Sequence, residues 1–177
     1  KADECSVVDA ATGGDARFNP MGDVALFRGQ LIVTERSTNQ VRNVSAATGG
    51  ATVAAGNGTA GFLDGPAAIA TFHEPVGIAI SSAGTVFIGD RTNHAVRKLV
   101  DGVVSTLAGT GAAGDHQDAV GVYSEFNRVY GLSLGGGGDF LFLCDRLNKR
   151  IRAVDTRSGA VSTVQAGNVT DPLNIVV

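Results

Sequence analysis

Few side chains in this sequence have the chemistry of catalysts or metal ligands, and they are scattered. The three histidines are His73, His94 and His116, and two of them stand next to an acid, Glu74 or Asp115. A metal-dependent hydrolase or lyase would need several such groups to converge on one point. No Ser-His-Asp arrangement has local support either. We therefore expect a protein that is not an enzyme and holds no cofactor or metal, and keep the metal-dependent hydrolase or lyase as the alternative.

The two cysteines, Cys5 and Cys144, are candidates for a covalent cross-link. The sequence has no C-x-x-C spacing, so a structural zinc site is not indicated. In a secreted protein the two would be expected to form a disulfide. The alternative is a pair of small buried thiols, since free cysteine is often buried.

Three N-glycosylation sequons begin at Asn43, Asn57 and Asn168. Asn57 and Asn168 each follow an Ala-Gly pair, which indicates equivalent positions in connections between structural units. Such connections are exposed, as a glycan requires. We therefore predict a glycoprotein that is extracellular or secreted, with the cell surface as a further location.

These residues are placed by a sequence that repeats three times. Phenylalanines recur every 54 residues, and pairs of an apolar residue and an arginine recur every 55. An acidic turn precedes each pair. The recurring elements are Phe18, Phe72 and Phe126, the pairs at 41–42, 96–97 and 151–152, and the turns at 35–39, 90–93 and 145–148. A fixed period of this length indicates a repeat architecture.

Each unit is predicted to form four short antiparallel strands. In the second unit the apolar runs are 76–80, 85–88, 95–99 and 103–107, rich in β-branched residues and bounded by turn residues. Helical spacing does not persist over a helix length, and only 65–70 indicates a short turn or 3₁₀ element. Four such strands form one blade of a β-propeller. The fold class is therefore all-β.

The acid of each recurring turn has a structural explanation. A carboxylate such as that of Asp90 can accept hydrogen bonds from the backbone N–H groups of its own turn. All three units carry the acid, whereas a functional site normally breaks repeat symmetry.

Several motifs of the second unit together resemble the NHL repeat. They are Gly56–Gly61, Asp64–Pro66, Ala70–Phe72, Pro75–Ile78, Gly89–His94 and Val96–Lys98. The first unit departs from the pattern with Thr34-Glu35, and the third has Val129-Tyr130 before Gly131. The resemblance implies a propeller that binds proteins or RNA, in a family whose relatives include lyases and lactonases. Propeller enzymes of that kind hold metal ions at the central axis, and the inner strands 76–80 and 131–134 carry no repeat-breaking polar residue for this.

The predicted domain is a single propeller or propeller arc over residues 1–177, with blade units at about 17–56, 72–109 and 126–167. Partial units at 1–16 and 168–177 flank them. Three arrangements remain open. The partial units combine into a composite fourth blade, which would bring Cys5 near Cys144; they pair with neighbouring copies of the chain; or the chain is a monomeric fragment of a larger NHL-repeat receptor-like protein.

Charge and loop placement bound the partners. The net charge is −3, and the 14 lysines and arginines are not clustered, so a nucleic-acid binder is not indicated. No apolar run reaches the length of about 18 residues that a membrane span needs. The expected partner is another protein or copies of the chain itself, with N-linked glycans. The predicted recognition surface, called the loop face below, consists of Asp64, His73, Glu74, Asp115, His116 and Asp118.

Overall fold

The computed structural model describes residues 20–115, 118–166 and 173–175. Within these ranges the chain forms three antiparallel sheets, one per repeat unit. The first sheet contains β1 (Met21–Phe27), β2 (Gln30–Glu35), β3 (Gln40–Ser45) and β4 (Ala51–Ala55). The second contains β5 (Gly65–Pro66), β6 (Pro75–Ile80), β7 (Val86–Asp90), β8 (Ala95–Val100) and β9 (Val103–Ala108). The third contains β10 (Val129–Gly135), β11 (Phe140–Asp145), β12 (Arg150–Asp155) and β13 (Val161–Ala166).

The predicted all-β fold with four-stranded blades is confirmed. The strands of the second blade fall within one or two residues of the predicted runs. One element was not foreseen, because β5 pairs with β9 and adds a short fifth strand to that sheet, in order β5-β9-β8-β7-β6. Short 3₁₀ turns cover Gly121–Tyr123 and Gly136–Gly138. Among the described residues, none forms a helix with the length and apolarity that crossing a bilayer requires.

The sheets pack face to face, with their first strands side by side at the centre. β6 packs against both β1 and β10. One apolar cluster joins the first and second blades, including Val41 and Ile88, and another joins the second and third, including Phe87 and Leu141. Alternate residues of each strand point to opposite faces of its sheet, so both faces present β-branched and aromatic side chains to the neighbouring sheets.

A bulge at the start of each first strand fixes which residues are equivalent. The pairing register shifts between Met21 and Val24, between Pro75 and Ile78, and between Val129 and Leu132. Asp23 therefore occupies the position of Gly77 and Gly131. The partial units at 1–16 and 168–177 lie outside the described residues except for 173–175, where the Leu173 carbonyl accepts a 3.1 Å hydrogen bond from the Gly131 amide. The closure of the ring stays a prediction.

The first strands approach so closely that a side chain cannot be placed at the equivalent glycines. A Cβ on Gly77 would overlap the Tyr130 carbonyl oxygen, and one on Gly131 would lie 2.6 Å from Asn174 Cα. Because the obstructing atoms are main chain, the neighbouring strand would have to move.

We predict that Gly77→Ala lowers the free energy of unfolding by about 3 kcal/mol, the upper end for overpacking. The matched control is Asp23→Ala, at the equivalent position of the first blade, which loses the hydrogen bonds that the carboxylate accepts from the Ile78 and Val24 amides and should cost about 1–2 kcal/mol. Urea unfolding measures both. Equal costs for the two variants would contradict the close packing of β6 on β10.

Candidate functional site

A buried arginine organises the loop that leads into the second blade. Asp90 ends β7, and Arg97 on β8 returns beside it, with both side chains fully buried and Nη1 2.7 Å from the carboxylate Oδ2. Arg97 also donates to the Thr71 carbonyl at 2.9 Å and the Leu63 carbonyl at 3.0 Å, and lies over the ring of Phe72. The guanidinium thus ties the preceding loop to the sheet by planar, directed contacts.

The other blades repeat this arrangement. In the third blade Arg152 Nη1 lies 3.1 Å from Asp145 Oδ2, above the Phe126 ring. In the first blade Arg42 Nη1 lies 3.3 Å from Glu35 Oε2, and all of these acids and arginines are fully buried. We call each buried pair an arginine clamp. The recurring apolar-arginine spacing of the sequence is the signal of these clamps, although sequence reasoning had assigned the arginines no role.

In the second and third blades, the expectation that the recurring acid binds the backbone of its own turn is wrong. Asp90 accepts from the His73 amide at 2.8 Å and from Asn93 Nδ2 at 2.8 Å, and Asn93 Nδ2 also reaches the Gly61 carbonyl at 2.6 Å. Asp145 likewise accepts from the Asn127 amide at 2.7 Å. The backbone partner of each carboxylate belongs to the loop before the blade, because the buried arginine brings that loop over the turn.

Burial dominates the titration of two of the clamp acids, Asp90 and Asp145. It raises the pKa of Asp90 to about 6, against the hydrogen bonds from Asn93 and His73 and the charge of Arg97. Burial also raises the pKa of Asp145. The pKa of Asp90 is higher in the folded state than its usual 3.8, so the folded chain binds this proton more readily than the unfolded chain. The contribution of Asp90 to stability is therefore full below pH 3.8 and is lost as the pH rises through about 6.

Two acids of the loop face bind clamp arginines of their own chain. Asp64 Oδ1 lies 2.6 Å from Arg97 Nη2, and its other oxygen accepts from the Thr106 amide at 2.9 Å. Asp118 occupies the corresponding place in the third blade, 3.7 Å from Arg152 and 3.2 Å from the hydroxyl of Thr163. Each carboxylate is about half exposed, yet its position is set by the clamp beneath it.

The other residues of the loop face are also held by local contacts. Glu74 pairs with Arg91 and accepts from the Thr92 hydroxyl at 2.7 Å, and that hydrogen bond lowers the pKa of Glu74 more than the arginine charges do. Asp115 pairs with Arg150. His73 is half-buried, and His116 lies outside the described residues. These acids therefore stabilise their own loops.

The predicted modification sites have different surroundings. Asn57 is exposed in the loop between the first two blades, and its Oδ1 accepts from the Thr59 amide at 2.8 Å. Asn43 is half-buried within β3, and Asn168 lies outside the described residues. Cys144 is a buried thiol whose pKa burial raises to about 11. Cys5 lies outside the described residues, so the Cys5–Cys144 disulfide stays a prediction.

A polar residue that the sequence reasoning overlooked lies at the centre of the sheets. The sequence analysis searched the inner strands of the second and third blades, 76–80 and 131–134, for a polar residue that breaks the repeat. The first blade carries such a residue, Asp23, where the other two have glycine. Its Oδ2 accepts a 3.2 Å hydrogen bond from the Ile78 amide of the second blade. This bond crosses the interface between two neighbouring blades, which we call a seam. It borders an open cleft of about 120 Å³ lined by first-strand backbone, Leu173 and Asn174. Among the described residues no three His, Cys, Asp or Glu side chains are grouped to hold a metal ion.

The outward face of β1 exposes an apolar strip formed by Met21, Val24 and Leu26. Their exposed fractions are 58%, 53% and 67%. The register makes Val24 equivalent to Ile78 and Leu132, which are only 4% and 5% exposed because they pack against the preceding blade. The β1 strip is therefore the surface that in the other blades forms a blade-to-blade interface.

Side-by-side antiparallel sheets with innermost first strands define a β-propeller, and the comparisons agree. The family model described as NHL repeat matches residues 72–99. Human NHL repeat-containing protein 2 is 30% identical over 108 residues, covering 59% of this chain and 15% of that protein. Protein SUPPRESSOR OF QUENCHING 1, chloroplastic, of Arabidopsis thaliana is 32% identical over 81 residues, covering 46% of this chain and 8% of that protein. Residues 72–99 therefore match an NHL repeat, and the chain is similar to NHL repeat-containing proteins over part of their length.

A solved structure supports the fold independently of sequence. An auxiliary nutrient binding protein from Bacteroides thetaiotaomicron superposes with a TM-score of 0.63 at 20% identity, over 80% of this chain and 37% of that one. At this identity the likeness shows the fold alone. The chain spans 8% and 15% of the length of the two sequence relatives named above.

We predict that Arg97→Ala lowers the free energy of unfolding by about 3–5 kcal/mol, because it leaves the buried Asp90 carboxylate without its counter-charge. Arg157→Ala is the control, since Arg157 pairs with Asp139 while 84% exposed and should cost at most about 1 kcal/mol. Thermal and urea unfolding would measure the difference. Similar costs would mean that the clamp does not hold the loop.

Proposed function

We propose that this chain is a non-catalytic propeller scaffold that works outside the cell and assembles with copies of itself through its terminal blade faces. The observation that carries the proposal is the exposure of the β1 strip. Burying a side chain such as Leu26 or Val24 fully contributes about 1.5–3 kcal/mol, so the exposed strip favours a partner.

The second surface of the proposed contact is the outer face of the third blade. Along β11, Leu141 and Leu143 point to the second blade, and Phe140 and Phe142 alternate with them and therefore point to the opposite, outer face. Phe140 is 44% exposed. Between the described blades, the face of one blade that corresponds to Phe142 packs against the face of the next that corresponds to the β1 strip: Phe87 and Leu132 share one apolar cluster, and Ile32 packs on the cluster that contains Ile78. A contact between the third blade of one copy and the β1 strip of another would repeat that geometry head to tail.

The chemistry of the loops supports a scaffold more than an enzyme. The acids of the loop face bind arginines or hydroxyls of their own chain. Groups used in this way hold loops rigid, and rigid loops suit recognition or assembly.

The extracellular location rests on the sequons. Asn57 and Thr59 are both exposed, in a loop that carries no core residue between them.

We expect the protein to show a sedimentation coefficient that rises with concentration, and Leu26→Glu to weaken this association about tenfold or more, since about 1.4 kcal/mol corresponds to a factor of ten. Val103→Glu is the matched control, because Val103 is 50% exposed on β9, away from either proposed surface. Analytical ultracentrifugation measures the sedimentation coefficients of the unchanged chain and the two variants over the same range of concentration. Unchanged association of Leu26→Glu would overturn the proposal.

Complementation sharpens this test. Phe140→Glu should also weaken association, because it alters the other surface. An equimolar mixture of Leu26→Glu and Phe140→Glu should regain one-to-one dimers, since each variant keeps the surface that the other lacks. Failure of the mixture to associate, when each variant remains folded, would exclude a head-to-tail contact.

We predict that the chain expressed with a secretion signal in eukaryotic cells carries a glycan at Asn57. Peptide-N-glycosidase treatment should lower its mass and convert Asn57 to aspartate, which mass spectrometry of the peptide detects. Asn57→Gln is the control and should remove that glycan alone. An unmodified Asn57 in secreted material would contradict the glycoprotein proposal.

A further inference from the structure

A repeated hydrogen bond joins each described blade to the next. The turn between the second and third strands ends in a residue with positive φ, which is Asn39 in the first blade (55°) and His94 in the second (50°). Asn39 Oδ1 accepts from the Glu74 amide at 2.9 Å, and His94 Nδ1 accepts from the Arg128 amide at 2.9 Å. Glu74 and Arg128 stand directly before the first strands of the second and third blades.

The two seams differ in the chemistry of the acceptor. An amide oxygen accepts a hydrogen bond at any physiological pH, whereas an imidazole nitrogen accepts only while it carries no proton. Because the Arg128 amide must donate, His94 is held as the neutral form with its proton on Nε2.

The surroundings of His94 disfavour its protonation. Arg128 from the loop before β10 and His73 from the loop before β6 are the charged groups acting on it, and Arg91 in its own turn contributes a backbone carbonyl to the His94 amide. Burial, and then the charges of Arg128 and His73, lower the pKa of His94 below its usual 6.5.

We propose that His94 is a pH-dependent hydrogen-bond acceptor, called the latch below, at the seam between the second and third blades. When neutral, it holds the Arg128 amide; when protonated, it releases that amide and repels the Arg128 guanidinium. The seam between the first and second blades has no such switch, because Asn39 takes the same place.

The sign of the effect follows from the depressed pKa. The unfolded chain binds the proton more readily than the folded one, so the latch contributes its full stability above about pH 6.5 and loses it as the pH falls below that value. Asp90 also titrates near pH 6, and its effect has the opposite sign. A comparison with a variant that keeps Asp90 separates the two.

The test uses ¹⁵N NMR on the whole chain between pH 7.5 and 5. We expect the Arg128 amide shift to titrate with the midpoint of the His94 ring, and its protection from exchange to fall about fivefold, as the loss of one hydrogen bond predicts. His94→Asn should abolish both changes and remain folded, because asparagine tolerates positive φ and occupies this place in the first blade.

Two further variants keep the result interpretable. Asn39→His should transfer the titration to the Glu74 amide. His73→Gln should leave the Arg128 titration in place and raise its midpoint, since one opposing charge is gone. The proposal is wrong if the His94 ring titrates while the Arg128 amide does not respond, or if His94→Asn keeps the pH dependence.

Discussion

The arginine clamp is the interaction on which the rest of this structure depends. A fully buried guanidinium in each blade satisfies a buried acid seven residues earlier, and in the second and third blades it also binds carbonyls of the preceding loop. Removing either partner would leave a charge in the low-dielectric interior. The clamp therefore fixes the loop, the loop fixes the start of the first strand, and the first strand fixes the next seam.

Packing at the interfaces between blades arranges the three sheets as a propeller. Gly77 and Gly131 let neighbouring first strands approach to main-chain contact, while apolar faces meet farther out. The first blade offers the same apolar face at β1, with Val24 exposed where Ile78 and Leu132 are buried. Blade packing and the proposed assembly thus use one kind of surface, and the difference between them lies in whether the neighbouring sheet belongs to the same chain.

The fold could be predicted from the sequence because strands and turns are encoded locally and three times over. The 55-residue spacing of Arg42, Arg97 and Arg152 was visible. Its meaning was not, because Arg97 and Arg152 also bind carbonyls of the loop before the blade, about 30 residues away in the sequence. The loop-face acids looked available for recognition, since sequence does not show that Asp64 and Asp118 lie over buried arginines. Asp23 was missed because its equivalence to Gly77 depends on the register shift of a bulge.

Hydrogen exchange of the β1 peptide, Met21–Phe27, measured across a wide range of protein concentration, tests the proposed role of the terminal blade most directly. If the outward face of β1 receives another blade, exchange in this peptide should slow as concentration rises, while the hairpin β8–β9 stays constant. Concentration-independent exchange in β1, in a preparation that nevertheless associates, would contradict the account and place the contact elsewhere.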